Sequence, residues 1–238
     1  MPVYFASDMH LRLDRPDRAE RLSHWVNSLN PDDTLHLLGD VCDFWFATRQ
    51  LRGDSLECPG LKALADFTAR GGGLTVMVGN HDLWLGPYYQ RVLGAELVTE
   101  PRIIEAHGLR LHMVHGHRVG GRQPWKAGME SRAFFETFRH LPSPIADRLD
   151  RKLESSNDRG RAADEARLLA IYRQFLPTIE PGVDIALFGH VHAPIDDATT
   201  TPRLIILGGW HARSSYLRVD EQGATFVVID PANHPVHA

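Results

Sequence analysis

An aspartate and a histidine two residues apart, Asp8 and His10, close the first apolar run of the chain, Val3-Tyr4-Phe5-Ala6. In extended backbone, residues i and i+2 point to the same side. A carboxylate and an imidazole placed this way can grip one divalent cation. Four later apolar runs also end in metal-binding types. Residues 34–38 lead into Gly39-Asp40-Val41-Cys42-Asp43, residues 74–78 into Gly79-Asn80-His81-Asp82, residues 110–114 into His115-Gly116-His117, and residues 183–188 into Gly189-His190-Val191-His192. Carboxylate, amide oxygen and imidazole are hard-to-borderline donors that suit Mn²⁺, Fe²⁺ or Zn²⁺, and the lack of cysteine among them disfavours a structural zinc. Asp8, His10, Asp40, Asn80, His115, His190 and His192 exceed the needs of one ion. Two ions sharing one carboxylate would use them all, and that arrangement serves phosphoryl chemistry.

The elements that must carry these donors follow from periodicity. Residues 15–29 read as an amphipathic helix with Leu22, Trp25, Val26 and Leu29 on one face. Residues 61–69 read as a second helix, closed by Gly71-Gly72-Gly73. Residues 102–105 pair with 110–114 as a hairpin, and 215–219 with 224–229 as another; residues 204–207 form a further strand ending in Gly208-Gly209-Trp210-His211. Between residues 117 and 181 the strands stop, and helices are expected over 124–140, 144–153 and 161–176. The pattern predicts an α/β sandwich, two mixed β-sheets flanked by helices, with core segments 1–116 and 182–238 and a helical lid insert at 117–181. Donors at strand ends then converge on one crevice.

Composition narrows the function. Of 238 residues, 43% are hydrophobic and 24% charged, and the formal charge is −4, so no overall basic character points to nucleic acid. Two cysteines, Cys42 and Cys58, make no disulfide framework and fit a reducing compartment. No run approaches the roughly 18 apolar residues of a membrane span, and no leader pattern precedes the first strand. A cytoplasmic protein is expected, able to rest on a membrane surface.

Asp8-x-His10, Gly39-Asp40-x-x-Asp43, Gly79-Asn80-His81-Asp82, His115 and Gly189-His190-x-His192 resemble, in order, the five signature blocks of calcineurin-like metallophosphoesterases. The resemblance implies a first metal on Asp8, His10, Asp40 and His192, and a second on Asp40, Asn80, His115 and His190, with water activated for in-line attack on phosphorus. Phe44-Trp45, Ser155-Ser156-Asn157 and Leu207-Gly208-Gly209-Trp210-His211 carry a narrower resemblance to the bacterial UDP-2,3-diacylglucosamine diphosphatases of lipid A synthesis. That branch uses Mn²⁺ and releases UMP and 2,3-diacylglucosamine 1-phosphate (lipid X). It implies a glycolipid-nucleotide substrate, a peripheral place on the inner face of the inner membrane, and no obligate protein partner. Many members of the branch carry Arg where this chain has His81, the residue usual in the wider superfamily. A general or cyclic-nucleotide phosphodiesterase acting on a soluble substrate is therefore the alternative.

The insert adds evidence of its own. Residues 117–175 hold 12 Lys+Arg and 8 Asp+Glu, a net of +4 in a chain whose total is −4, together with six aromatic residues. A basic, aromatic lid beside an anionic-substrate site suits a charged lipid; the bland alternative is a solvated helical hairpin whose aromatics bury against the body. Of the remaining residues, His81 is expected to meet a phosphate oxygen or act as general acid, with Asp82 fixing its tautomer. Asn80 and His190 are expected to face the substrate as well as the metal. Trp45 reads equally as a gate or as core. Ser156, Asn157, Arg159 and Arg161 read as sugar or phosphate contacts or as an ordinary helix start, and His211 as a nucleotide contact or as closure of the sheet edge.

Overall fold

The computed structural model describes residues 1–12, 15–43, 55–121, 130–142 and 161–230, with Gly128, Ile145 and Arg148. Alternation along the strands sorts the side chains into separate cores. Strands β1 (Val3–Ala6), β2 (Thr34–Leu38), β3 (Gly73–Met77) and β4 (Glu96–Val98) run parallel; β10 (Ser214–Asp220) joins β1 antiparallel and pairs with β11 (Gly223–Ile229). This six-stranded sheet has the order β11-β10-β1-β2-β3-β4. The second sheet has the order β5-β6-β7-β9-β8, from β5 (Arg102–Ala106), β6 (Leu109–Val114), β7 (Ile185–Phe188), β8 (Ile195–Asp197) and β9 (Arg203–Ile206). Here β6, β7 and β9 are parallel, with β5 and β8 antiparallel at the edges. Both sheets are mixed, as the sequence predicts.

Between the sheets lie Phe5, Leu38, Met77, Leu111, Met113, Ile185, Leu187, Ile205 and Leu217. The outer face of the first sheet is covered by α1 (Pro16–Asn27), α2 (Pro59–Ala69) and α3 (Gly86–Leu93), through Leu22, Trp25, Leu61, Leu64, Phe67 and Tyr89. The outer face of the second sheet presents Val114, Ala186, Phe188, Leu204 and Ile206. Helix α5 (Arg161–Phe175) packs there, with Tyr172 stacked on Phe188 at 4.3 Å. Strands β6, β7 and β9 thus alternate between two cores with period two, and the molecule is built as helices, sheet, sheet, helix.

Three features differ from the sequence-based picture. Helix α3 and strands β4 and β8 are additional elements. Helix α5, expected within the lid, is instead the outer layer of the body, because its apolar residues have the second sheet to bury against. Phe135, on α4 (Arg132–Arg139), is likewise 4% exposed and belongs to the core under α3. The bland reading of the insert's aromatics therefore holds for Phe135 and Tyr172. The helix expected at 144–153 falls largely outside the described residues.

Candidate metal centre

Each polar strand end enters the crevice where the two sheets open. Asp8, His10, Asp40 and His190 have φ values of 57, 46, 52 and 65°, the left-handed region that costs a non-glycine residue roughly 1–2 kcal/mol. Four such residues in one cluster mark a site the surrounding fold holds against local preference. Gly39 and Gly79 make it possible. A Cβ on Gly39 (φ 88°) would lie 2.6 Å from His115 Nδ1, and one on Gly79 would lie 2.1 Å from Asp40 Oδ1.

Asp40 sits at the middle. Its Oδ1 accepts the His81 backbone N–H (2.8 Å). Its Oδ2 lies 3.7 Å from His10 Nε2 and 3.4 Å from His115 Nε2, between two imidazoles from different sheets. On one side, His10 Nε2 is 3.2 Å from His192 Nε2 and 3.6 Å from Asp8 Oδ1, which in turn is 3.8 Å from His192 Nε2. On the other, His115 Nε2 is 3.2 Å from Asn80 Oδ1, and His190 falls within ligating distance of Asp40 and His115. His115 Nδ1–H donates to the Leu38 carbonyl (2.7 Å), which aims Nε2 into the site. Asp8 Oδ2 accepts from the Ser7 hydroxyl and the His190 N–H (2.9 Å).

The residues fit divalent cations. Asp8 Oδ1 is fully buried and meets no hydrogen-bond donor, yet it faces two imidazole nitrogens; an unsatisfied buried carboxylate oxygen is too costly to leave without a cation. The seven donors expected from sequence are gathered in two overlapping groups that share Asp40. Protons compete for the same places. Burial opposes charge on His115, but Asp40 and Asp8 outweigh it and raise its pKa to about 9. Burial likewise favours a protonated Asp40, yet His115, His81 and His10 hold it well below the usual carboxylate range.

His81 sits beside the cluster, its ring 4.7 Å from that of His10. Its partner is not Asp82. The ring Nδ1 is 2.7 Å from Asp43 Oδ1, and Asp43 Oδ2 accepts from the buried Arg12 guanidinium at 3.0 Å. Burial would raise the Asp43 carboxyl, but His81 and Arg12 hold it far below its ordinary value. Burial disfavours the charged His81 ring, but Asp40 and the hydrogen bond to Asp43 raise it to about 10. Asp82 instead turns into the loop and accepts from Gly79 N–H (2.7 Å), Val41 N–H (2.8 Å) and the Tyr89 hydroxyl (2.8 Å). It braces the Gly39–Val41 and Gly79–Asp82 turns against each other and has no role in the His81 tautomer.

Of the remaining expected residues, His211 does enter the site, its ring 4.4 Å from that of His192. Trp45, Ser156, Asn157 and Arg159 lie outside the described residues, as does the side chain of Arg161, the first residue of α5. Sequence reasoning missed three arginines that hold the site from α1 and the turn before it: Arg12 on Asp43, Arg18 on the His10 carbonyl (3.1 Å) and Arg21 on the Trp210 carbonyl (2.6 Å). Spacing gives no signal for them; only the tertiary fold does.

A cavity of about 790 Å³ opens between α3, β4 and α4, lined by Val78, Leu83, Trp84, Tyr88, Leu97 and Phe135 with Arg91 and Arg132. Val78 and Leu83 flank the Gly79–Asp82 turn, so the cavity backs directly onto the ligand loop. No described helix is long and apolar enough to cross a membrane.

A family model described as calcineurin-like phosphoesterase matches residues 1–194. The chain is similar to the UDP-2,3-diacylglucosamine hydrolase of Pseudomonas savastanoi pv. phaseolicola, with 26% identity over 93% of each chain. It is similar to the protein of the same name from Pseudomonas paraeruginosa, with 27% identity over 94% of this chain and 97% of that one. The Hahella chejuensis protein of that name is 25% identical over 94% and 95%.

Proposed function

The chain belongs to the calcineurin-like phosphoesterase family, and from that premise we propose that it hydrolyses the pyrophosphate bond of UDP-2,3-diacylglucosamine to UMP and 2,3-diacylglucosamine 1-phosphate. The observation that carries the reaction type is Asp40 Oδ2, set between His10 and His115. Asp8, His10, Asp40 and His192 would hold one divalent cation, and Asp40, Asn80, His115 and His190 the other; Mn²⁺ suits this oxygen-and-imidazole set. Two bound cations supply Lewis acidity toward a phosphoryl oxygen and a water nucleophile at neutral pH.

The protein's own part is positional. Asp43, ionised against Arg12, holds the His81 ring by Nδ1 and leaves Nε2 for a phosphate oxygen or the leaving phosphate. Hydrogen bonds donated by Ser7 and Arg18, and accepted by the Leu38 carbonyl and the Asp82 carboxylate, fix the ligands and their turns before substrate arrives, so little reorganisation remains for the transition state.

For the lipid, support comes from the relatives' name and from the cavity behind the ligand loop, whose apolar walls carry Arg91 and Arg132. Trp84 in that wall and Ile145 in the insert, 37% and 50% exposed, add apolar surface. A peripheral site on the inner membrane surface follows from such a substrate. His81 favours one other reading, a soluble phosphodiester. Assaying Mn²⁺-loaded protein against both substrates decides between them. UMP release from the diacyl substrate, lost on chelation and restored by Mn²⁺, supports the proposal; cleavage of soluble diesters with none of the glycolipid refutes it.

A further inference from the structure

We infer that His211 is a further ligand of the first cation position, forming a three-imidazole face with His10 and His192. The inference rests on the two-cation reading above.

The loop that carries His211 is sewn to the ligands themselves. Strand β9 runs into residues 207–211, where the Gly209 N–H donates to the His192 carbonyl (3.0 Å) and the Trp210 N–H to the Asp8 carbonyl (3.0 Å). Trp210 is fully buried, packs against Trp25 with ring centroids 5.3 Å apart, and donates Nε1–H to the Ser215 carbonyl (3.2 Å). Arg21 holds its carbonyl from α1. A Cβ on Gly209 would lie 3.1 Å from His192 Cβ and 2.9 Å from His211 Nδ1, so the missing side chain lets the two rings close. This much anchoring of one connection between the two sheets, from β9 to β10, needs a reason beyond closure.

The ring geometry supplies one. One nitrogen from each of His10, His192 and His211 lies within 4.8 Å of the others. Ring centroids are 5.0 Å apart for His10–His192, 5.0 Å for His10–His211 and 4.4 Å for His192–His211. An ion about 2.1 Å from each nitrogen sets neighbouring donors about 3.0 Å apart and neighbouring ring centroids about 4.6 Å apart. The observed centroid separations bracket the second value, and the 3.2 Å between His10 and His192 Nε2 lies close to the first. His81, whose ring is also near His10, is committed through Nδ1 to Asp43.

Chemistry then separates the two positions. The first would offer three imidazoles with Asp8 and Asp40, and the second two imidazoles with Asp40 and Asn80. The nitrogen-richer position favours Zn²⁺, Co²⁺ or Fe²⁺ over Mn²⁺, so the centre would prefer two different metals.

The test is the Co²⁺-substituted protein observed by proton NMR, where each coordinated imidazole contributes one hyperfine-shifted, exchangeable ring N–H. Wild type should show five, from His10, His192, His211, His115 and His190, and both His211→Ala and His211→Gln should show four. In competition between Zn²⁺ and Mn²⁺, the first position of the variants should lose about tenfold or more of its Zn²⁺ preference. Four resonances in wild type would overturn the inference while leaving the two-cation reading intact. No shifted resonances in wild type would overturn both. The wild-type count decides the matter even if both variants fail to fold.

Discussion

Replacing Gly79 by alanine perturbs the centre without substituting a ligand. The new Cβ would stand 2.1 Å from Asp40 Oδ1 and 2.7 Å from both Asp40 Cγ and the Asp40 backbone nitrogen, where real Cβ atoms essentially never come closer than 3.0 Å. Asp40 Oδ1 must therefore move by about 0.9 Å, and because the backbone nitrogen is also in the way, rotating the side chain alone cannot relieve the clash. Oδ2 moves with it, away from the position between His10 and His115. A displacement near 1 Å in a preorganised site costs about 100-fold in turnover, or about 2.7 kcal/mol of barrier. Overpacking itself costs about 1–3 kcal/mol of stability, a melting shift of a few to about 10 °C for a chain of this size. Measuring turnover, bound metal and melting on one preparation separates the two effects. Gly128→Ala, whose Cβ would meet nothing within 4 Å, is the control and should behave as wild type. If Gly79→Ala keeps wild-type turnover and metal affinity, the placement of Asp40 as the shared ligand is refuted.

Asp40→Ala removes the anion common to both positions, so metal analysis should find most of both ions lost and turnover reduced to a trace. Asp43→Asn keeps an acceptor but loses the charge that holds His81; turnover should fall about 10²–10⁴-fold with metal content unchanged, and lost metal would contradict that division of roles. Asp82→Ala orphans the Gly79 and Val41 N–H groups and the Tyr89 hydroxyl, at about 1–3 kcal/mol each, so denaturant titration should find it far less stable than Asp43→Asn. His36, stacked on Phe5 at 5.0 Å, is depressed to about 4 by burial from an ordinary 6.5. Between those values the unfolded chain binds a proton that the folded one refuses. Stability is therefore full above pH 6.5 and falls as the pH drops toward 4, by on the order of 2 kcal/mol for a half-buried ring. The metal-free His36→Gln variant should show a flatter pH profile in denaturant titration.

The strand ends were legible because two local rules agree there. A short apolar run predicts a buried strand, and Gly-Asp, Gly-Asn or Gly-His after three of them predicts a turn that leaves a donor at the crevice. Helix α3 was not legible: it is eight residues long and begins at Gly86-Pro87, which reads as a turn. The role of α5 was hidden for another reason. Leu168, Ile171, Tyr172 and Phe175 recur at i, i+3, i+4 and i+7 and so mark one apolar face, but that spacing does not say what covers the face, and only the second sheet shows what it buries. Asp43 and Asp82 are both near ligands in sequence, and nothing local tells which carboxylate turns toward His81. That choice is made by the inward turn of the Gly79–Asp82 loop onto Val41 and Tyr89. His211 needed the register of β9 against β7 to bring it beside His192.

Each proposed cation position draws donors from both sheets: Asp8, His10, Asp40 and Asn80 from the first, His115, His190 and His192 from the second. His10 and His192, whose nitrogens nearly touch, are 182 residues apart in the chain. The centre is thus a clasp across the seam of the sandwich, and it cannot close until the two sheets have docked. Ion capture would then report completed assembly, and its binding free energy would count directly against any fluctuation that parts the two halves.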